Sequence, residues 1–265
     1  MKSAVLLTCY NRVETTLRCL KALFEQRCNA TLSVFLVDDN SPDGTGTKIK
    51  AAFPQVTVIM GTGSLFWCRG MHLAWKTAGS GYDAYLWLND DVVLADGALA
   101  EILEDAESVG WHGAVIGSFV DGNGQMTYGV MEKWKWIMPK GVPLRTDGDI
   151  SGNLVLVPKC VVDKIGIIAD CYSHAYGDYD YSARMRKAGI PYYLASKVCG
   201  RCDNAKPDYA LEGKSLKERV SCLFKPNGHN WRDAIVYRWR HYGLSRTLVT
   251  AIHVPYLVIK GKRHK

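Results

Sequence analysis

The sequence predicts an α/β fold, a mostly parallel sheet with helices on both faces and a helical appendage at the C-terminal end. Three observations carry this. Short apolar runs alternate with helical patterns through the first half. Polar clusters rich in Asp and Asn follow three of those runs. Composition is that of a globular domain, 48% apolar and 22% charged, which supplies material for a buried core.

In chain order, Ser3–Thr8 reads as a strand. Val13–Gln26 reads as a helix, with Leu17, Leu20, Ala22, Leu23 and Phe24 as its apolar or small positions. Leu32–Asp38 and Val56–Met60 are the next strands, Met71–Ala78 a helix and Ala84–Leu88 a fourth strand. Asp96–Ser108 is helical, with Asp96 expected as N-cap because its carboxylate can accept first-turn N–H groups. Ala114–Phe119 is a fifth strand. Strands and helices alternating at this spacing imply parallel pairing and a sheet covered on both faces.

The second half is less regular. Met126–Met138 reads as antiparallel strands, Leu154–Pro158 as a short strand, Tyr176–Lys187 as a helix and Pro191–Ala195 as a strand. Helical periodicity returns from Leu216. There is no internal repeat or linker composition, so the expected division is a catalytic domain over 1–213 and an appendage over 214–265.

Composition narrows the function classes. Nine cysteines are scattered, and Met1-Lys2-Ser3 runs straight into an apolar strand, so a reduced cytoplasmic setting is expected. Cys199 and Cys202 form one C-x-x-C without a second pair at zinc-finger spacing. No apolar run reaches the roughly eighteen residues of a membrane span. Net charge is +7, and from Arg232 to Lys265 basic residues interleave with aromatics and aliphatics while Asp233 is the only acid. Such a tail fits an anionic membrane surface, placing the protein at the inner face of the membrane. Nucleic acid is not the expected partner. The same pattern also describes a solvated tail or an apolar stripe packed on the protein.

In parallel sheets, ligands bind beyond the carboxyl ends of the strands, and the polar clusters lie there. Asn89-Asp90-Asp91 sets two carboxylates at the end of a buried strand, where repulsion and desolvation call for a cation. Magnesium and manganese are held by one or two carboxylates together with substrate phosphates. Asp38-Asp39-Asn40-Ser41 supplies a carboxylate able to accept a ring N–H, beside Thr8 to Arg12 on the neighbouring loop; an Asx turn fits it too. In Gly177–Arg184, Asp180 and Arg184 are placed to pair across one helical turn. Asp178 is thereby left near the helix start, where a general base or a carboxylate complementing the helix dipole would sit.

The order of these motifs resembles glycosyltransferase family 2. Val5-x-x-Thr8-x-Tyr10-Asn11-Arg12, Val37–Ser41, Leu88–Val92 and Gly177–Asp180 with Arg184 and Gly189 carry the resemblance over roughly residues 3–200. It is similar to bacterial transferases that assemble surface polysaccharide, rhamnosyltransferases among them. The resemblance implies the GT-A fold, Rossmann-like, and inverting transfer from a nucleotide sugar, UDP- or dTDP-linked, to a glycan or lipid-linked acceptor. It implies that Asp39 holds the base, that Thr8, Tyr10 and Arg12 surround the nucleotide, and that Arg69 approaches its phosphates. Asp91 would bind Mn2+ or Mg2+, Asp90 the ribose or sugar, and Asp178 would be the catalytic base. Gly152 and Asn153, with Asp180, are expected to line the sugar or acceptor pocket. Two positions depart from the family pattern. Gly177 stands where Glu is frequent, and Val198-Cys199-Gly200 stands where many members carry His.

Two other classes compete with this reading. A nucleotidyltransferase would require a Gly-rich, Lys- or Arg-bearing phosphate loop after the first strand, and Thr8–Arg12 provides none. A non-enzymatic binding module would leave three acidic clusters without a purpose.

Overall fold

A computed structural model describes residues 1–203, 211 and 213–261; Lys262, Arg263 and Lys265 of the basic tail lie outside the described residues. The first half places β1 (Lys2–Cys9), α1 (Val13–Phe24), β2 (Thr31–Asp38), α2 (Thr45–Ala52), β3 (Thr57–Met60), α3 (Phe66–Ala78), β4 (Ala84–Leu88), β5 (Val93–Leu94), α4 (Ala98–Ser108) and β6 (Ala114–Val120). Short strands follow: β7 (Met126–Tyr128), β8 (Val130–Glu132), β9 (Lys135–Trp136), β10 (Leu144–Thr146), β11 (Asp149–Ile150) and β12 (Leu154–Pro158). Then come α5 (Lys159–Ile165), α6 (Gly177–Lys187), β13 (Tyr192–Arg201), α7 (Leu216–Cys222) and α8 (Trp231–Ile259).

The main sheet runs β10-β13-β6-β12-β4-β1-β2-β3. Strands β3, β2, β1 and β4 pair in parallel. β12 enters antiparallel between β4 and β6, and β13 returns to parallel pairing with β6. The expected α/β architecture is therefore present, with β12 as its main reversal. That reversal matters for the site, because the start of β12 meets the ends of β4 and β13 at one edge of the sheet.

Alternation along the strands divides the core in two, as period-2 side-chain geometry requires. Val5, Leu7, Leu86 and Leu88 face α1 and α4 through Leu20, Leu23, Leu99 and Ile102. Ala4, Leu6, Tyr85 and Trp87 face the opposite side with Met71, Trp75 and Tyr181. A third, small cluster joins Leu211, Cys222, Leu223, Val254 and Val258.

Several boundaries differ from expectation. Asp96 is not the N-cap of α4; Gly97 is, in a left-handed conformation with φ 76° that a side chain disfavours, and no side chain caps the helix. The Ser-Pro-Asp-Gly loop leads into α2, because Asp43 accepts from Thr45 N (2.9 Å) and closes the turn that starts it. α3 begins five residues earlier than its apolar periodicity indicates, at Phe66, where Asp39 captures the backbone. α8 is interrupted at Gly243 (φ 78°, ψ −175°).

Candidate active site

Parallel pairing of β1, β2 and β4 brings their carboxyl ends to one edge. Because β12 is antiparallel, the residues preceding it reach the same edge, where the Asn89 N–H donates to Asn153 O (3.0 Å). β13 ends there too, delivering Cys202. Five distant stretches of sequence thus converge.

At the centre lies the acidic pair. Arg12 Nη1 is 3.2 Å from Asp90 Oδ1 and 3.2 Å from Asp91 Oδ2, bridging both carboxylates. Asp90 is buried and also accepts from Thr16 Oγ1 (3.3 Å). Burial pushes its carboxyl up to about 7, even against the charge of Arg12. The Cys202 thiol, raised by burial and by the charge of Asp91, donates to Asp91 Oδ1 (3.6 Å) and accepts from Asn153 Nδ2 (3.6 Å).

Asp178 is the second residue of α6. It accepts from the Tyr179 N–H at 2.9 Å and from the Gly152 N–H, and is half-buried. Desolvation raises it to about 6, more than these hydrogen bonds lower it. A continuous path of contacts therefore runs from Asp178 through Gly152, Asn153 and Cys202 to Asp91. Trp67 forms the floor: its Nε1 donates to Asn89 Oδ1 (2.7 Å), and its indole stands against Trp87, which stacks edge-on with Tyr181 of α6.

Small residues are required by this crowding. A Cβ on Gly152 would fall inside the Trp67 indole, and one on Gly70 would overlap the Thr8 side chain. A Cβ on Gly177 would lie 2.5 Å from Cys68 Sγ, which accounts physically for glycine at a position where the resembling family often has Glu.

The neighbouring residues expected on the nucleotide side are partly committed. Asp39 accepts from Gly63 N (2.7 Å), Leu65 N (2.8 Å) and Phe66 N (3.1 Å), so it shapes the loop before α3. Thr8 is buried against Gly70, Tyr10 is exposed, and Arg69 lies half-buried with Nη1 3.5 Å from Ser64 O. Asp38, beside Asp39, holds the turn through Ser41 N (3.0 Å) and Gly46 N (2.9 Å).

Asp180 corrects its expected place in the pocket. It is fully buried and receives Arg184 Nε (2.8 Å), as its spacing predicts, but also Arg240 Nε (3.0 Å), His241 Nε2 (2.8 Å) and the Tyr172 hydroxyl (3.0 Å). A carboxylate so enclosed cannot meet a sugar. Burial alone would raise its pKa; the His241 hydrogen bond and the charges of Arg184 and Arg240 outweigh this and lower it. Nothing in the sequence pairs Asp180 with residues sixty positions away. The interleaved Arg and aromatic pattern of α8 is the only local signal.

The donor set at Asp90 and Asp91 suits a hard divalent cation. It offers carboxylate oxygens, one of them deeply desolvated, with Arg12 as the present counter-charge. Among the described residues no third His, Cys, Asp or Glu completes a metal-holding group. The pair therefore fits a cation whose remaining ligands come from substrate phosphates.

A sequence model for glycosyl transferase family 2 matches residues 4–157. No curated protein sequence matches. Solved structures similar in fold include S. aureus TarS 1–349 (17% identity, 96% of this chain and 75% of that one, TM-score 0.58). The same protein in complex with UDP-GlcNAc shares 13% identity over 98% of this chain and 82% of that one, with TM-score 0.60. The mannosyltransferase PcManGT from Pyrobaculum calidifontis, in complex with GDP-Man and Mn2+, shares 15% identity over 97% and 80%, with TM-score 0.56.

Proposed function

This chain belongs to glycosyl transferase family 2 and is a glycosyltransferase; we propose that it moves a sugar, with inversion, from a nucleotide-sugar donor to a hydroxyl of a glycan or lipid-linked acceptor. The observation that carries this reading is the path of contacts from Asp178 to Asp91, which sets one carboxylate apart from the acidic pair across Gly152 and Asn153.

Asp178 is the base. With its pKa raised to about 6 it is ionised at neutral pH yet basic enough to take a proton from the attacking hydroxyl. A single carboxylate on the face opposite the leaving group suffices for inversion, and no covalent intermediate is needed. Gly152 and Asn153 line the sugar pocket, where glycine permits close approach. Thr8, Tyr10, Arg12, Asp39 and Arg69 surround the nucleotide, and Asp90 meets the ribose or sugar.

Asp91, with Asp90, would hold Mn2+ or Mg2+. When bound, such a cation neutralises the charge developing on the departing nucleotide diphosphate. Arg12 supplies positive charge at the same place. The UDP, UDP-GlcNAc and GDP-Man with Mn2+ held by the similar structures support a nucleotide-sugar donor, for which UDP- or dTDP-linked sugars are the first to test. Residues 1–213 form the catalytic domain and 214–265 the appendage. Nine free thiols support a reducing, cytoplasmic setting, and cell-surface polysaccharide synthesis is the pathway class.

The test is a thermal-shift screen against UDP-, dTDP-, GDP- and CMP-sugars with manganese, followed by NMR of the product anomer. Binding to the native state raises the melting temperature. A retained anomeric configuration, or no shift with any nucleotide sugar, would overturn the proposal.

A further inference from the structure

The C-terminal half of α8 is built inside out. After the break at Gly243 it buries Thr247, Thr250, Val254 and Val258, and turns larger apolar residues outward. Leu244, Leu248, Ile252 and Tyr256 are 60%, 56%, 75% and 55% exposed and recur every fourth residue, which aligns them in one stripe. Val249 and Ile259 flank it, also exposed. A surface helix ordinarily shows the reverse pattern, and an outward stripe of this kind marks an interaction face.

Before the break the same helix behaves differently. Asp233, Ala234 and Tyr237 are buried against the catalytic domain, where Asp233 Oδ2 accepts from Ser173 N (2.7 Å). The helix is thus divided: before Gly243 it anchors through Asp233, Ala234 and Tyr237, and after it the buried face is narrow and the larger apolar side chains lie outside.

We infer that the helix over 244–259 lies in the interfacial layer of an anionic lipid membrane. Charge selects this occupant. From residue 234 to 265 the sequence has no Asp or Glu, whereas Arg246 and Lys260 lie at either end of the stripe. Anionic headgroups complement that face. A second copy docked through the same face would set like charges together. Length agrees with lying flat: the segment is about 24 Å long at 1.5 Å per residue, and among the described residues no helix is long and apolar enough to cross a membrane. Exposed Trp239 and Tyr242 before the break, and Tyr256 near the far end, are the side-chain types that settle at headgroup level.

The inference is independent of the transfer chemistry, because vesicle binding is read without donor or acceptor. The full chain is sedimented with phosphatidylcholine vesicles, with or without about a third of phosphatidylglycerol. It should bind the anionic vesicles only, and more weakly at high salt. Leu248→Glu with Ile252→Glu should lower partitioning at least about tenfold, and Arg246→Glu several-fold. Both sites are exposed, so melting temperature and nucleotide-sugar binding should stay unchanged. Failure of the wild-type chain to bind anionic vesicles, or equal binding by the double variant, overturns the inference. Dimers seen by light scattering and lost in the double variant, without vesicle binding, would assign the face to a second copy instead.

Discussion

At the scale of single residues, the site rests on two carboxylates that burial drives toward neutrality. Asp178 titrates near 6 in the folded protein, above its ordinary value of 3.8. In its proposed role as catalytic base it must be ionised, so kcat/KM should fall as pH drops through about 6. Asp178→Asn should abolish that limb and lower turnover by roughly a hundredfold or more, leaving donor affinity intact. The same shift acts on stability with the opposite sign. A carboxyl whose pKa is higher folded than unfolded destabilises the fold once pH rises from 3.8 through about 6. Asp178→Asn should therefore melt higher than wild type at pH 8, with the difference vanishing below pH 4, as scanning calorimetry can check. An activity loss without the stability gain would show that burial does not raise the Asp178 carboxyl. Asp91→Asn removes the charge that a divalent ion needs. Calorimetry should show manganese-dependent donor binding weakened at least about tenfold, and unchanged binding would remove Asp91 from the metal assignment.

At the scale of elements, the strands and their terminal clusters could be read from the sequence because each is local. Continuous apolar runs such as Ala4–Leu7 and Ala84–Leu88 mark strands buried on both faces, and parallel order then fixes which ends meet. What could not be read depends on crowding between elements. Gly177 shows this: the sequence presents a departure, whereas the structure presents Cys68 Sγ in the space a side chain would need. Gly177→Ala should cost about 1–3 kcal/mol in urea unfolding, the usual penalty of overpacking, and adding Cys68→Ala should restore part of it. Strictly additive losses would mean that the two residues do not share that space. Asp180 shows the same limit. Its pairing with Arg184 follows from helical spacing, but its enclosure by Tyr172, Arg240 and His241 follows from where α8 packs. Asp180→Asn leaves the mostly buried Arg184 and the partly exposed Arg240 facing a neutral amide, so it should destabilise by about 1–3 kcal/mol. Asp180's lowered pKa adds stability above pH 3.8 that is lost as pH falls through the folded value; the variant should accordingly flatten acid unfolding.

At the scale of the whole molecule, α8 is tied to the sheet-bearing part of the chain before Gly243, whereas after it one face packs on α7 through Val254 and Val258 and the other lies exposed. Asp233 bonds Ser173, and Arg240 with His241 closes the network around Asp180, two residues from Asp178. A chain ending near Gly228 should consequently lose melting temperature and turnover together, whereas Gly243→Ala, strained at φ 78°, should affect chiefly the half of α8 after the break. A truncated chain of normal stability would show that the network is dispensable. This arrangement also bears on how the protein is made. Asp180 and Arg240 are sixty residues apart in the chain. At roughly 5–20 residues per second, a ribosome needs about 3 to 12 seconds to bring the second after the first. Through that interval Tyr172 and Arg184 are the partners already synthesised, and the helix bearing Asp178 has yet to receive Arg240 and His241. Nascent chains stalled inside the appendage should therefore be open to proteolysis, and become resistant only once His241 has cleared the exit tunnel.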